Sequence, residues 1–447
     1  MFVNDDVDLL PVHVSSAKDL PIRERLARVA MIDDMIDDLW QGGVHKSVRD
    51  VCVAKRPVET LEELFSLKTV VELRELLMDY GCPKVPKGPK RLLVGMLVEV
   101  SVGDGPGPFL DYAALCGEAY LDDFRALVSE GGSRRYQKRD VETVDDLIPP
   151  SFPMVNYYDD KLAYVAFVPR EVQEMLERLD DSDWEPYVRL AREYDGLRSY
   201  VKAVIDLRGI VALSDVLAEY LREHPSTYAD RLEQMLRDGT WDDDVFVGVL
   251  KDQEGDILYL VSFGLANEDV PPDEDLIDGV LCDQGRLPPR PLTEGLRAGD
   301  DIRTTMLETP EGQELLRLLD EHVPEGSGDE FFGIDLVEDL TWDLRLTDDL
   351  ACLAQRLAQQ DLKVMGDLGE RLFRLVERFN RVVPKWRLNG WSWAEVEKMA
   401  QGDPSFADLR PRPTPMPDFA SDGVSGFALI DDDWDEDEWD EDDWGED

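Results

Sequence analysis

From Thr69 to Val98 the chain reads TVVELRELLMDYGCPKVPKGPKRLLVGMLV, two runs of helical apolar spacing interrupted by glycine, proline and lysine. In the first run Val70, Leu73, Leu77 and Tyr80 recur every third or fourth residue and Leu76 widens the stripe, which predicts a helix with one buried face. Gly81 ends it, because a left-handed C-terminal cap favours glycine, and Pro83 cannot continue a helix. Lys84 to Lys87 is extended and basic. Gly88-Pro89 then restarts the chain, with Pro89 suited to a first helical position. The second helix has Leu92, Leu93, Met96 and Leu97 as its apolar face, and Lys90 and Arg91 in its first turn, where cations oppose the helix dipole. A bound anion resolves that conflict. Free backbone N–H groups at a helix start, beside Lys87, Lys90 and Arg91, predict a phosphate site.

This arrangement resembles the SAP domain, a helix, extended loop, helix module, and more distantly the N-terminal domain of the Rho termination factor. The family pattern is a Thr-started helix of the form ELxxLL, then Gly-Leu, a Pro-containing loop, Gly-x-Lys and Leu-x-x-x-Leu. It stands here as Glu72, Leu73, Leu76 and Leu77, then Gly81-Cys82-Pro83, Gly88-Pro89-Lys90, and Leu93 with Leu97. Cys82 departs from the family's leucine, and the loop is longer. Members of the family bind DNA. The resemblance therefore implies that residues 66–100 associate weakly with DNA or RNA through Lys84, Lys87, Gly88, Lys90 and Arg91. Such modules also hold other proteins, so a non-enzymatic interaction scaffold is the alternative expectation.

Charge bears on that choice. Lys and Arg number 48 against 98 Asp and Glu, a formal net charge of −50 that repels polyphosphates at long range. Screening shortens the repulsion: at about 0.1 M salt the Debye length is roughly 10 Å, so a phosphate near Lys87 feels mainly the local field. From Ser66 to Glu99 there are six basic residues and four acidic ones, a rare positive window in this chain.

Length and an apolar content of 43 % predict about three domains of ~100 to 200 residues, each with a real core. The expected fold class is mainly α with a small β component (α+β), in a multidomain chain. Residues 1–102 form an N-terminal helical region containing the SAP-like unit at 66–100. A helix over Ile22–Trp40 carries Asp33-Asp34 and Asp37-Asp38 on a solvated face, and a short helix over Thr60–Leu67 shores up the SAP-like unit. Gly103 to Pro108 reads as a linker. It lacks the strand, helix and Gly-Lys-Ser/Thr context of a phosphate loop.

Residues 109–195 are a mixed α/β connecting region with a helix over Asp111–Ser129. Gly131 to Asp140 follows as a basic solvated loop, with Arg134, Arg135, Lys138 and Arg139 as possible added phosphate contacts; Lys161–Val168 is β-rich and a helix starts after Pro169. Residues 196–268 present helices over Leu197–Leu207, Ser214–Leu221 and Thr227–Arg237 and strands over Val245–Leu250 and Ile257–Val261. Three helices before a hairpin resemble a winged-helix domain. The third helix carries only Arg231 and Arg237 against Asp230 and Glu233, which points to a structural or protein-binding role rather than a groove reader. Val270–Pro291 reads as a linker, and residues 300–403 as a C-terminal helical domain. Within it, Asn380–Glu395 resembles a stretch found ahead of SEC-C metal-binding tails but lacks their cysteines, and Trp386, Trp391 and Trp393 fit a small aromatic core.

Residues 404–447 are a Pro-rich linker and an acidic tail. Asp431–Asp447 holds 13 acidic residues with Trp434, Trp439 and Trp444 spaced by five, a composition expected to be disordered. Its two readings are a solubilising tail and a docking peptide that inserts tryptophan into a basic, apolar groove of a protein partner or of this chain; by its charge it would compete with nucleic acid for the SAP-like unit.

Catalytic and cofactor signals are missing. His13, His45, His224 and His322 stand far apart, no nucleophile or zinc motif is present, and no cofactor or metal is expected. Cys52, Cys82, Cys116, Cys282 and Cys352 are widely spaced without a CxxC pair, which fits reduced thiols. The start of the chain lacks a signal peptide pattern and no apolar run is long enough to cross a membrane, so the expected location is cytoplasmic. Arg exceeding Lys and Asp exceeding Glu suit a high-GC bacterium or a halophile.

Overall fold

The computed structural model describes residues 22, 25, 52–54, 57–82, 84–141, 147–238, 245–252, 255–262, 265, 274–322, 332–348, 350, 366–406 and 409. Most of the helix expected over Ile22–Trp40 and the tail tryptophans Trp434, Trp439 and Trp444 lie outside these residues. The described chain is mainly helical with two small sheets. It divides into two compact units, one of Ala30–Ile205 with Val211–Phe263, the other of Met1–Val29, Asp206–Ile210 and Gly264–Asp447.

In the first unit, β1 (Cys52–Ala54) precedes three packed helices, α1 (Leu61–Leu67), α2 (Val70–Asp79) and α3 (Lys90–Gly103). Each of the first two starts on a threonine whose hydroxyl accepts an N–H of the opening turn, Thr60 from Glu63 and Thr69 from Glu72. Leu61, Leu64, Phe65, Leu73, Leu77, Leu93 and Leu97 are buried and form the small core. Gly103 to Pro108, expected as a linker, is instead a tight corner, because α4 (Gly107–Leu115) begins almost at once with Pro108 in its first turn.

The single helix expected over Asp111–Ser129 is two, α4 and α5 (Glu118–Ser129), broken at Gly117 with φ +102°. Here glycine is required twice over. That φ is left-handed, and a Cβ would stand 2.7 Å from Asp195 Oδ1, whose partner oxygen Oδ2 accepts the Glu118 N–H at 2.7 Å.

The basic stretch after α5 is no solvated loop: Ser133–Gln137 is strand β2. It pairs antiparallel with β4 (Ala163–Phe167), which pairs antiparallel with β3 (Asn156–Asp159), which in turn runs parallel to β1, in the order β1-β3-β4-β2. Every residue of β4 is buried, as its unbroken apolar run requires, whereas β2 alternates exposed and half-buried positions along the sheet edge. α6 (Arg170–Leu176) follows Pro169.

The helix expected at Leu197–Leu207 is much longer, α7 (Asp181–Arg208), because Trp184, Leu190, Tyr194, Leu197 and Val201 extend the buried stripe backwards. Then come β5 (Ile210–Ala212), α8 (Leu213–Glu223), α9 (Ala229–Asp238) and the antiparallel hairpin β6 (Val245–Asp252) and β7 (Gly255–Ser262), with strand order β5-β7-β6. Gly255 opens β7 opposite Asp252.

The second unit is helical. α10 (Glu274–Gln284) occupies much of the segment expected as a linker. α11 (Glu294–Arg297), α12 (Ile302–Leu307), α13 (Pro310–Glu321), α14 (Phe332–Leu346), α15 (Gly366–Val382) and α16 (Trp393–Gly402) follow, with a turn of 3₁₀-helix at Trp386–Leu388. Trp393 packs with Leu287, Leu388, Val396 and Leu409, and Trp391 lies against this cluster, while Trp386 is fully buried nearby in sequence. Trp386 and Trp393 are core, as expected, and Trp391 is only partly buried against it.

Candidate nucleic-acid interface

α2 and α3 hold the basic loop through purely local devices at the first turn and the last. At the start, Thr69 Oγ1 accepts the Glu72 N–H at 3.3 Å and Glu72 Oε2 accepts the Thr69 N–H at 2.6 Å, a capping box. Those hydrogen bonds hold the Glu72 carboxyl below its usual range. At the end, Gly81 adopts φ +77°, its N–H donates to Met78 O at 2.8 Å and the Cys82 N–H to Leu77 O at 2.9 Å, the double closure of a Schellman cap. Residues 84–89 form neither helix nor strand and lead to Pro89, which is the N-cap of α3 rather than its first helical residue. No side chain caps this end, and no acid lies in the first turn. The Leu92 N–H donates to Pro89 O at 2.9 Å, and the Lys90 and Arg91 N–H groups ahead of it, with no described partner, are open to an anion.

The structure places the five loop residues differently from one another. Lys84, Lys87 and Arg91 are exposed, and none forms an ion pair or hydrogen bond with another described residue. Lys90 is half-buried, and its Nζ donates to Ser66 O at 2.7 Å. That bond places a cation on a carbonyl at the end of α1, where the dipole favours it, so the lysine that opposes the dipole of α3 complements that of α1. Gly88 lies against Leu92: a Cβ there would stand 2.7 Å from Leu92 Cδ2. Leu92 itself, expected on the buried face, is 46 % exposed, and Val94 is buried in its place. Helix α3 is rotated relative to that expectation because α1 and α2 both pack on it, and its buried set becomes Leu93, Val94, Leu97 and Ser101. Leu67, Val71 and Met78 join Leu92 as exposed apolar side chains, so basic and apolar residues share this element.

Other basic positions are occupied by carboxylates. Arg134 pairs with Glu130 and Asp123, Arg135 with Asp160 at 2.6 Å, and Lys138 with Asp159 while lying 4.8 Å from the Tyr164 ring. The β2 patch is thus neutralised along the sheet edge. On α9, Arg231 pairs with Asp111 and covers the Tyr187 ring, and Arg237 pairs with Glu233 at 2.7 Å. Neither helix nor strand offers open cations comparable to Lys84, Lys87 and Arg91.

Two fully buried cations in the second unit escape sequence reasoning. Lys385 is fully buried, and its ammonium donates to Leu344 O, Thr347 O and Asn380 Oδ1 and lies 3.3 Å from Asp348 Oδ1, which also accepts the Trp393 indole N–H at 2.6 Å. Arg345, equally buried, donates to Asp206 Oδ1 at 2.8 Å and lies over both the Trp342 and Trp386 rings, 5.5 Å and 4.6 Å from their centroids. Burial pushes its guanidinium below the ordinary value, against the pull of Asp206. Its Nε and Nη2 meet no acceptor. The only sequence signal was an arginine inside the apolar run of α14 and a lysine between proline and tryptophan. Both are structural: each is sealed from solvent.

His224 and His322 sit at helix C-caps, His224 against the Tyr220 ring and His322 Nδ1 2.8 Å from Leu318 O. Among the described residues no three His, Cys, Asp or Glu side chains are gathered to hold a metal ion, and no helix is long and apolar enough to cross a membrane. Burial pushes the Cys116 and Cys52 thiols up to about 11, so each is only roughly 0.1 % thiolate at pH 8 and neither is a poised nucleophile. Alkylation followed by mass spectrometry at pH 8 should modify exposed Cys282 before Cys116 and Cys52, by more than about tenfold in rate. Compared with models of known protein families, with curated proteins and with solved structures, this chain matches none.

Proposed function

We propose that the chain is an accessory or regulatory protein that associates weakly with nucleic acid through the SAP-like unit at residues 66–100. The observation that supports this most is the set of three exposed cations without described partners, Lys84, Lys87 and Arg91, beside the uncapped start of α3, in a chain of net charge −50. Most other arginines in the same unit hold a carboxylate. A phosphate at this helix start would receive backbone N–H groups and the Arg91 fork together. Gly88 keeps the loop close to Leu92, and Lys90 serves the fold by holding Ser66 O.

The expected behaviour is loose and salt-sensitive. Three phosphate contacts give a slope of log affinity against log salt of about −2.7 on duplex DNA, and Lys87→Glu with Arg91→Glu should reduce it to about −0.9 and weaken low-salt binding at least tenfold. Lys90→Met should lower stability and change affinity by less than about twofold. Titration of the full chain with labelled duplex and single strand checks both; no binding at low salt removes the reading.

The second reading is a protein-interaction scaffold, favoured by Leu67, Val71, Met78 and Leu92, four exposed apolar side chains on one small element. It predicts that Val71→Asp with Met78→Asp abolishes capture of a protein and leaves nucleic-acid affinity near its original value. We read residues 196–268 as a winged-helix-like domain, supported by the order helix, strand, helix, helix, hairpin and by the strand order β5-β7-β6. Its third helix spends its arginines on Asp111 and Glu233, which favours a structural role.

A further inference from the structure

α15 buries Leu372, Val376 and Phe379 and turns Arg371, Arg374 and Arg378 to solvent at spacings of three and four, so the three guanidinium groups share one helix face. α13 packs beside it and adds Arg317. Between the two helices lies an open cleft of about 300 Å³, lined by these four arginines and Glu314 and closed beneath by Leu318 and Leu375. Four like charges around one cleft repel one another, and their carboxylate partners relieve this only at the rim. Arg317 pairs with Glu321 at 3.1 Å, Arg374 with Glu370 at 3.3 Å and Arg378 with Glu314, all exposed pairs, and Arg371 pairs with no described residue. Exposed pairs of this kind contribute little and exchange partners readily.

We propose that this cleft is the docking site of the chain's own acidic terminus, Asp431–Asp447. Charge complementarity selects that occupant: in a chain of net charge −50 it is the densest run of acid, 13 carboxylates in 17 residues. Trp434, Trp439 and Trp444 supply the second half of the match. A guanidinium takes a carboxylate through two parallel N–H bonds and an indole through its face, so alternating acid and tryptophan suit an arginine cluster better than a lysine one. A small phosphorylated ligand would use the charge but leave the tryptophans unexplained. Reach is no obstacle, since the segment from Leu409 to Trp434 can extend to roughly 80 Å at ~3.3 Å per residue. The cleft uses none of the residues of the loop at Lys84–Arg91.

The test uses the full chain, a chain ending at Ile430, and a labelled peptide of residues 431–447 at low salt, where charge attraction is strongest. The peptide should bind the shortened chain at least about tenfold more tightly than the full chain, whose tethered tail competes at high effective concentration. Arg371→Glu with Arg374→Glu in the shortened chain should weaken binding at least about tenfold, and Arg371→Gln with Arg374→Gln by a smaller factor. Both side chains are exposed, so the helix packing persists. The same reversal at Arg189 and Arg192, exposed on α7, should have little effect. Failure of the peptide to bind the shortened chain overturns the proposal. So does binding that the Arg371 and Arg374 reversal leaves unchanged, or that the Arg189 and Arg192 reversal weakens equally. Saturable binding of inorganic pyrophosphate to a cleft that ignores the peptide would assign it to a small phosphorylated ligand instead.

Discussion

Arg345→Ala is expected to lower the stability of the second unit by about 3 to 5 kcal/mol, because it leaves the Asp206 carboxylate without its buried partner. Asp206 is held from three sides. Its Oδ1 accepts Arg345, its Oδ2 accepts the Ile302 N–H at 2.8 Å, and its carbonyl accepts the Trp386 indole N–H at 3.3 Å. Removing the guanidinium also leaves a cavity beside the Trp342 and Trp386 rings, which meet edge to face at 5.4 Å and 84°. The desolvation of a charge and the creation of a cavity therefore act in the same direction. Asp206→Ala should destabilise by a similar amount, leaving a sealed guanidinium with two nitrogens already unpartnered. The double variant should cost clearly less than the sum, since neither charge then remains alone. Denaturant unfolding of the four proteins, followed by tryptophan fluorescence, measures the coupling; strict additivity would mean that the pair does not interact.

Lys385→Ala is expected to cost a further class of about 3 kcal/mol or more, for a different reason. The ammonium is the hub that satisfies Leu344 O, Thr347 O and Asn380 Oδ1 at once, and Asp348 balances its charge. Truncation orphans three acceptors and a carboxylate together. Lys385→Met keeps most of the volume and should destabilise less than alanine, yet still by more than any exposed substitution, because the acceptors stay unmet. Combining Lys385→Met with Asp348→Asn should recover part of the loss. If both Lys385 variants unfold at the wild-type midpoint, the ammonium is not satisfying that shell.

These two cations show where sequence reasoning stops. Lys385 and Arg345 belong to residue types that are almost never fully buried, and each reaches that position through partners far along the chain, Asp206 lying 139 residues from Arg345. A pattern of apolar spacing carries no information about such pairs. The same limit appears at the candidate interface. Lys84, Lys87, Lys90 and Arg91 look alike in sequence as cations around one helix start. Only the packing of α1 beside α3 ties Lys90 to Ser66 O, 24 residues away, and leaves the other three open. Leu92 and Val94 exchanged inside and outside for the same reason.

What the sequence determined by itself are the features set within a few residues: the Thr69–Glu72 box that starts α2, the Gly81 closure that ends it, the unbroken apolar run of β4, and a fold mainly α with a small β component. These follow from local hydrogen bonds and from glycine and proline dihedral limits, which act at short range along the chain. The tertiary structure alone decided that α4 and α5 part at Gly117 to admit Asp195, that the basic stretch after α5 becomes an edge strand with its charges paired, and that Arg317 meets Arg371, Arg374 and Arg378 across one cleft. In each of these the deciding energy is burial or charge between segments distant in sequence, which no local rule evaluates.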